Sequence, residues 1–237
     1  MAKEQLLLEL EDVWKTYKMG KAGNLDVLKG LNLKIFEGEF VAITGPSGSG
    51  KSTMMNIVGA LDIPSKGVVY LNGKNIAKMG ESSLARFRGE TIGFIFQQFN
   101  LIPTLSALQN VMLPMEFINS SNQKEARNNA KELLIMLGLG DRIHHRPNEL
   151  SGGQQQRVAI ARSMSNDPEI ILADEPTGNL DSKTGKFVME FLHELNKKKG
   201  KTIILITHDL HLIKYADRVV YLKDGIIIKD TNKGDKK

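Results

Sequence analysis

Residues 45–53 read Gly45-Pro46-Ser47-Gly48-Ser49-Gly50-Lys51-Ser52-Thr53, which matches the spacing G-x-x-x-x-G-K-[ST]. A short apolar run at residues 39–44 precedes this string, and residues 53–61 follow it with helical spacing. The sequence therefore predicts a strand, a glycine-rich loop and a helix in this order.

The residue types in this loop suit a bound phosphate group. Glycines let backbone N–H groups turn towards phosphate oxygens, and the start of the helix adds the positive end of its dipole. Lys51 supplies a positive charge for the β- and γ-phosphates, and Ser52 supplies a hydroxyl for Mg²⁺. We expect the nine residues to bind a nucleotide. A merely flexible glycine loop is the alternative, which the flanking strand and helix disfavour.

A second pattern is an apolar strand that ends in two acids. Residues 170–173 are all apolar, and Asp174 and Glu175 follow directly. The carboxyl ends of parallel strands face the crevice in which α/β sheets bind ligands. We expect Asp174 to hold Mg²⁺ through water and Glu175 to polarise an attacking water, although two acids after a strand can also be solvated charges.

A third pattern is Leu150-Ser151-Gly152-Gly153-Gln154, which precedes a stretch with helical spacing. Ser151 is a favourable N-cap, and the glycines leave the next N–H groups open to an anion at the positive end of the helix. This anion site has no lysine of its own, and the chain already has a phosphate loop. We therefore predict that residues 151–154 contact the nucleotide of another subunit. A capped helix after a glycine turn is the alternative.

The pattern of apolar residues predicts an α/β protein. Alternation at residues 6–13 and 31–35, and a run that leads into the hairpin turn Asn72-Gly73, indicate an antiparallel region near the N-terminus. Two stretches have helical spacing and form a helical insertion, residues 123–137 and 154–165. Later segments predict buried parallel strands and a closing hairpin, at residues 92–96, 170–173, 202–207 and 222–229.

The composition excludes several classes of site. The chain contains no cysteine, so disulfides, thiolate nucleophiles and thiolate metal sites are excluded. Residues 1–17 mix acids and a lysine with leucines, and the longest apolar runs are too short to cross a membrane, so we expect neither a secretory signal nor a membrane span. The Lys and Arg residues behind the net charge of +5 are scattered among acids, so we expect no nucleic-acid partner.

In order and spacing, these motifs resemble the ATP-binding-cassette ATPases over nearly the whole chain. The resemblance implies a RecA-like P-loop NTPase core, an N-terminal antiparallel β subdomain and a helical subdomain with residues 150–154 as the family signature. It assigns residues 1–96 and 167–237 to the core with the antiparallel subdomain, and residues 97–166 to the helical subdomain.

The resemblance also assigns roles to single residues. Tyr17 matches the aromatic residue that stacks on adenine, and Gln97 matches the glutamine that links the two lobes and touches Mg²⁺ and water. The string Gly178-Asn179-Leu180-Asp181 matches the loop that joins opposing active sites, and His208 matches the switch histidine that contacts the γ-phosphate. Alternatives remain for three positions: Tyr17 as a packing residue, Gln98 in place of Gln97, and His208 as a loop histidine.

These roles imply an ATPase that uses Mg²⁺, with Glu175, His208 and Gln97 as catalytic residues. Two copies pair head to tail, and each nucleotide lies between residues 45–53 of one copy and residues 151–154 of the other. The resemblance further implies an integral-membrane permease that docks near residues 97–103. The chain would then be cytoplasmic and peripheral to the inner face of the cell membrane.

Three strings resemble one branch of the family more closely, namely the branch that serves lipoprotein release and macrolide export. Amino-acid importers carry similar strings. Two other functions remain open: a soluble cassette protein acting on DNA or ribosomes, and a cell-division-type ATPase that signals through a permease-like partner without transport. The strings are Thr16-Tyr17-Lys18-Met19-Gly20, Gly93-Phe94-Ile95-Phe96-Gln97-Gln98-Phe99-Asn100-Leu101-Ile102-Pro103 and Gly152-Gly153-Gln154-Gln155-Gln156-Arg157.

Overall fold

The computed structural model describes residues 5–20, 23–118 and 122–232. By its contacts the chain divides into two compact units. The first unit is Met1–Ala85 with Leu195–Lys237, and the second unit is Arg86–Glu194. The functional division that we predicted, residues 1–96 with 167–237 and residues 97–166, stays a prediction.

The described residues form both strands and helices. The strands are β1 (Leu6–Lys18), β2 (Asn24–Phe36), β3 (Phe40–Thr44), β4 (Lys66–Leu71), β5 (Lys74–Asn75), β6 (Ile92–Ile95), β7 (Ile170–Asp174), β8 (Thr202–Ile206), β9 (Arg218–Lys223) and β10 (Ile226–Asn232). The helices are α1 (Lys51–Val58), α2 (Glu81–Thr91), α3 (Ala107–Ile118), α4 (Gln123–Met136), α5 (Gly152–Ser163) and α6 (Ser182–Lys199). Within the described ranges, no helix combines the length and the apolar composition of a membrane span.

The first unit contains an antiparallel sheet with the strand order β2-β1-β4-β5. Four apolar residues of β1 are buried, Leu7, Leu8, Leu10 and Val13. The turn between β4 and β5 has Asn72 at φ +50° and Gly73 at φ +69°, a left-handed pair that matches the twist of a hairpin. The predicted antiparallel region is therefore confirmed.

The first unit also contains the strand order β10-β9-β3-β8, in which β3 pairs in parallel with both β8 and β9. Every residue of β3 and β8 is buried. Strands that are covered on both faces have continuous apolar runs, which is why these runs lack alternation. The antiparallel pair of β9 and β10, joined at Asp224-Gly225, confirms the predicted closing hairpin.

The second unit combines the parallel pair of β6 and β7 with helices. The helix α3 packs against both α4 and α5. The helices α4 and α5 confirm the helical insertion that we predicted from residues 123–137 and 154–165. The chain is thus an α/β protein with an antiparallel sheet, parallel strands and a group of helices, as predicted.

Three helices, α2, α3 and α6, were not predicted from the sequence. In α3, Pro114 lies inside the helix and Asn110 is fully buried, so polar and helix-breaking residues interrupt the apolar pattern. In α2 only Phe87 and Thr91 are buried, so the helix has almost no apolar face. Both helices therefore form where the local pattern is weak.

Candidate functional site

The glycine-rich loop follows the buried strand β3. A Cβ atom built on Gly45 would lie 1.9 Å from the carbonyl oxygen of Leu222, so only glycine fits at this position. Gly48 and Gly50 have φ angles of +75° and +100°, in the left-handed region that favours glycine. The backbone of the loop therefore requires glycine at these three positions.

Helix α1 starts inside the motif, at Lys51. Its N-cap is Gly50, which has no side chain to accept hydrogen bonds from the first N–H groups, and the first turn contains no acid. These N–H groups are open to an anion, and the helix dipole favours one there. Ser52 is exposed beside them. This part of the loop fits the phosphate cradle and the Mg²⁺-binding hydroxyl that the sequence predicted.

Two other side chains of the loop carry polar groups that a phosphate could engage. The ammonium group of Lys51 donates hydrogen bonds to the carbonyl oxygens of Gly45 and Pro46, both at 2.8 Å, and so lies over the loop. The hydroxyl of Ser49 is buried and has no hydrogen-bond partner among the described residues. A buried hydroxyl without a partner is costly, so its position favours an additional ligand.

His208 lies in the same unit, directly after β8 and Thr207. Strands β3 and β8 run in parallel with Ile43 opposite Ile206, so His208 and Gly45 leave the sheet at the same edge. The side chain of His208 is exposed. This position fits contact with a phosphate held by the loop.

Tyr17 lies on β1 opposite Leu25 of β2. Further along β2, Leu28 and Val27 reach the phosphate loop, because a Cβ atom on Gly50 would lie 3.0 Å from Leu28 Cδ2. The antiparallel sheet that carries Tyr17 is therefore in contact with the loop. The ring of Tyr17 is half-buried.

The two acids lie in the second unit, at the end of β7. The strand is buried up to Ala173, and Asp174 is half-buried. Glu175 has a φ angle of +45°, which is uncommon for a residue with a side chain and costs backbone energy. Immediately after it, the carbonyl oxygen of Pro176 accepts a hydrogen bond from Gln156 Nε2 at 2.7 Å. The fully buried Gln156 of α5 thus holds the backbone next to Glu175.

Gln97 comes two residues after β6, whose Ile95 lies opposite Ala173 of β7. Gln97 therefore emerges at the edge where Glu175 emerges. A Cβ atom on Gly178 would lie 2.8 Å from Gln97 Nε2, and Asn179 Nδ2 donates to the carbonyl oxygen of Gln97 at 3.0 Å. The side chain and the main chain of Gln97 both contact the loop of residues 178–181.

The signature residues begin α5 with a reciprocal cap. Ser151 Oγ accepts from Gln154 N–H at 3.3 Å, and Gln154 Oε1 accepts from Ser151 N–H at 2.9 Å. This confirms the predicted N-cap. The adjacent Gly152 and Gly153 have no side chains of their own that could cover the N–H groups of the first turn.

Asp181 lies at the start of α6 and caps it through its carboxylate. Its carboxylate accepts from the Thr184 hydroxyl at 2.7 Å and from the N–H groups of Thr184 and Lys183, both at 3.0 Å. These hydrogen bonds, above all the one from the Thr184 hydroxyl, lower the pKa of Asp181. Thr184 also lies against Gly153, whose Cβ would be 2.8 Å from Thr184 Cγ2. The loop of residues 178–181 therefore adjoins the signature as well as Gln97.

The predicted site residues thus form two groups. The first unit holds residues 45–53, Tyr17 and His208, and the second unit holds residues 151–154 together with Gln97, Asp174, Glu175 and Asp181.

The described residues contain no cluster of three His, Cys, Asp or Glu side chains that could hold a metal ion. The predicted ligands Ser52, Gln97 and Asp174 supply a hydroxyl, an amide oxygen and one carboxylate. Such a set suits Mg²⁺, which takes few protein ligands and fills its shell with water and phosphate oxygens.

Residues 28–178 match the family model of the ABC transporter. The chain belongs to the ABC transporter family. This match runs from β2 through the phosphate loop, the signature and both acids to Gly178, so the cassette is an ABC ATPase.

Known proteins resemble the cassette over its whole length. It is 55% identical over 227 residues to MJ1508, an ABC transporter ATP-binding protein of Methanocaldococcus jannaschii, which covers 96% of this chain and 100% of that one. The dimeric cassette MJ0796, solved in a post-hydrolysis state bound to ADP and Pi, has a TM-score of 0.88 at 49% identity. That comparison covers 95% of this chain and 98% of the other.

A third relative is larger than this chain. The cassette is 52% identical over 224 residues to the macrolide export ATP-binding/permease protein MacB of Bdellovibrio bacteriovorus. The match covers 94% of this chain and 34% of MacB, so the cassette spans about a third of that relative.

Proposed function

We propose that this ABC ATPase binds ATP and Mg²⁺ between two of its copies and drives a separate integral-membrane permease of the macrolide-export and lipoprotein-release branch. The observation that carries the proposal is the match to MacB, a protein named for both ATP binding and a permease. Almost all of this chain corresponds to about a third of MacB, and we propose the permease as its partner. Through this partner the cassette would lie on the inner face of the cell membrane.

The arrangement of donors supports a nucleotide shared by two copies. A triphosphate carries three or four negative charges, which need more donors than one loop supplies. The start of α1 offers N–H groups and Lys51, whereas the start of α5 offers N–H groups beside Gly152 and Gly153 without a cation. Residues 45–53 of one copy and residues 151–154 of the other together complete the set. The dimeric MJ0796 bound to ADP and Pi is consistent with such a pair.

Hydrolysis requires a water to be placed and deprotonated beside the γ-phosphate. Glu175 polarises this water, and its backbone is held by Gln156. Gln97 would contact the same water and Mg²⁺, and His208 would donate to the γ-phosphate. Ser52 and Asp174 would hold Mg²⁺, which would supply positive charge against the phosphates. Loss of the γ-phosphate removes part of the bridge between the copies, so they separate.

The segment next to Gln97 is held firmly enough to receive a partner. Arg162 of α5 donates to the carbonyl oxygens of Asn100 at 2.6 Å and Phe99 at 3.0 Å. Burial lowers the pKa of Arg162, but an arginine stays charged. Asn110 of α3 accepts from Ile102 N–H at 2.8 Å and donates to its carbonyl oxygen at 3.2 Å. Residues 99–102 are thus fixed to two helices, and we propose that the permease docks on them.

Co-purification tests whether an integral-membrane permease binds the cassette. We expect the tagged cassette to retain an integral-membrane protein when it is purified from detergent-solubilised membranes of its own cells. Ile102→Arg should lose this protein, because it puts a charge on the docking segment, whereas Ile228→Arg on β10 should keep it. Both residues are exposed, 36% and 55%, so neither change buries a charge. Retention of no membrane protein by the unmodified cassette would contradict the proposal.

An ATPase assay of the cassette with its permease distinguishes transport from signalling without transport. A transporter of this branch should hydrolyse ATP faster when a macrolide or lipoprotein substrate is added to the reconstituted complex. A cell-division-type ATPase should respond to its permease-like partner but to none of these substrates. The ATPase rate of the complex, with and without substrate, measures the difference.

A further inference from the structure

We propose that Lys15 and Asp62 are positioning residues for the ring of Tyr17, and that they thereby set a preference for adenine nucleotides over nucleotides with smaller bases. The inference rests on the proposed function, in which Tyr17 stacks on the base of ATP.

The carboxylate of Asp62 binds the side chains of both Lys15 and Tyr17. Its Oδ1 accepts from Lys15 Nζ at 2.6 Å, and its Oδ2 accepts from the hydroxyl of Tyr17 at 3.3 Å. Lys15 Nζ also donates to the carbonyl oxygen of Ile63 at 2.9 Å and lies 5.2 Å from the centroid of the Tyr17 ring. The ring is therefore held at its hydroxyl and by a cation–π contact on one face.

The contacts of Asp62 with Lys15 and Tyr17 are partly shielded from water. The side chain of Lys15 is 12% exposed and that of Asp62 is 30% exposed. Ion pairs with this degree of burial are screened less than pairs on the open surface. A ring that is already fixed loses little conformational freedom when a base stacks on it, so more of the stacking energy appears as affinity.

The backbone around Lys15 is tied to the segment that carries Asp62. Ser65 N–H donates to the carbonyl oxygen of Trp14 at 2.8 Å, and Thr16 N–H donates to Ser65 Oγ at 3.0 Å. Lys15 and Tyr17 are two residues apart on β1, so their side chains lie on the same face of the strand. The strand and the segment therefore hold the three side chains in register.

The same segment continues from the helix of the phosphate loop. Leu61 and Asp62 both donate their N–H groups to the carbonyl oxygen of Asn56 in α1, at 2.8 Å and 3.1 Å. Asp62 thus connects the far end of α1, which starts at Lys51, to the ring of Tyr17. The position of the base is fixed relative to the position of the phosphates through one short helix.

Stacking depends on the overlap between ring and base, and a purine offers more overlap than a pyrimidine. A misplaced Tyr17 ring should therefore weaken ATP binding, weaken UTP binding less, and leave the binding of inorganic tripolyphosphate unchanged. A change that only loosened the fold would weaken all three. This difference separates positioning from general stability.

The experiment measures the Kd of ATP, UTP and tripolyphosphate with Mg²⁺ for Asp62→Asn and Lys15→Met. We expect each variant to raise the Kd of ATP by about three- to tenfold, part of the value of one base stack, with the Kd of tripolyphosphate unchanged. Asp217→Asn is the matched control, because it breaks another ion pair of the same unit, to Lys197 at 2.8 Å. Thermal unfolding of each variant reports its stability.

A double-mutant cycle provides the second measurement. If Asp62 acts through the ring, Asp62→Asn should have no further effect on ATP affinity in a Tyr17→Ala chain. An additive effect, or an equal loss of ATP and tripolyphosphate binding, would overturn the inference. Normal ATP affinity in Asp62→Asn and Lys15→Met, together with weak ATP binding by Tyr17→Ala, would also overturn the inference. The proposed function would then stand. Unchanged ATP affinity in Tyr17→Ala would overturn the base site as well.

Discussion

Glu175→Gln is expected to lower the rate of ATP hydrolysis by roughly a hundredfold to ten-thousandfold, the usual value of a general base, while the Kd of ATP stays within about twofold. The amide has the size of the carboxylate, so the left-handed backbone at Glu175 and the hydrogen bond to Pro176 can persist. It cannot take a proton from the attacking water. Phosphate release under excess ATP, measured beside equilibrium ATP binding, checks both halves of this result.

The stalled variant should also accumulate as a dimer, because the γ-phosphate that bridges the copies is no longer removed. Sedimentation with ATP and Mg²⁺ should show this dimer, and sedimentation with ADP should not. Glu190→Gln on the exposed face of α6 is the matched control and should hydrolyse ATP at the normal rate. Near-normal hydrolysis by Glu175→Gln would show that the base is a different residue.

Lys51→Ala is expected to weaken ATP binding by about ten- to a hundredfold, because a hydrogen bond to a charged group is worth about 1.5–3 kcal/mol. The change should leave the fold intact. Lys51 donates to two carbonyl oxygens of the loop, and one of these bonds is exposed, so water can replace it. Titration with ATP measures the affinity, and thermal unfolding verifies the fold.

Lys66→Ala on β4 serves as the matched control for Lys51→Ala, since it removes an exposed lysine of the same unit. It should bind ATP normally. ATP affinity that is undiminished in Lys51→Ala would contradict the phosphate-loop assignment of residues 45–53.

The sequence was sufficient to predict those elements whose residue pattern lies within the element itself. The continuous apolar runs of β3, β7 and β8 have no alternation because both faces are buried, and this pattern predicts parallel strands directly. The phosphate loop is equally local, because the left-handed φ angles of Gly48 and Gly50 are backbone requirements within the motif.

The sequence was insufficient where tertiary contacts override the local pattern. Helix α3 carries a buried Asn110 whose side chain binds the backbone at Ile102, Leu105 and Ser106, so its polar character reflects a loop rather than solvent. The first three residues of β2, Asn24, Leu25 and Asp26, are exposed, and they form a strand because β1 pairs with them. Propensity alone predicts neither element.

Residues that position another side chain or a backbone segment were the hardest to predict from the sequence. Asp62 is 47 residues from Lys15 and 45 from Tyr17, and Gln156 is 20 residues from Pro176. No motif links either pair, so their contacts appear only when the chain is folded. The predicted site residues, by contrast, lie in short strings with a recognisable order or were assigned from the family resemblance, as Tyr17, Gln97 and His208 were.

We propose that one ATP is held between two copies, and the absence of cysteine from the chain allows a direct measurement of this arrangement. In a Glu175→Gln background, one chain carries Ser47→Cys in its phosphate loop and a second chain carries Ser151→Cys in its signature. With a short bismaleimide and ATP, we expect a cross-linked dimer from the mixture and none from either chain alone or without ATP. Cross-linking within a single chain that carries both cysteines, with no dimer from the mixture, would contradict the claim.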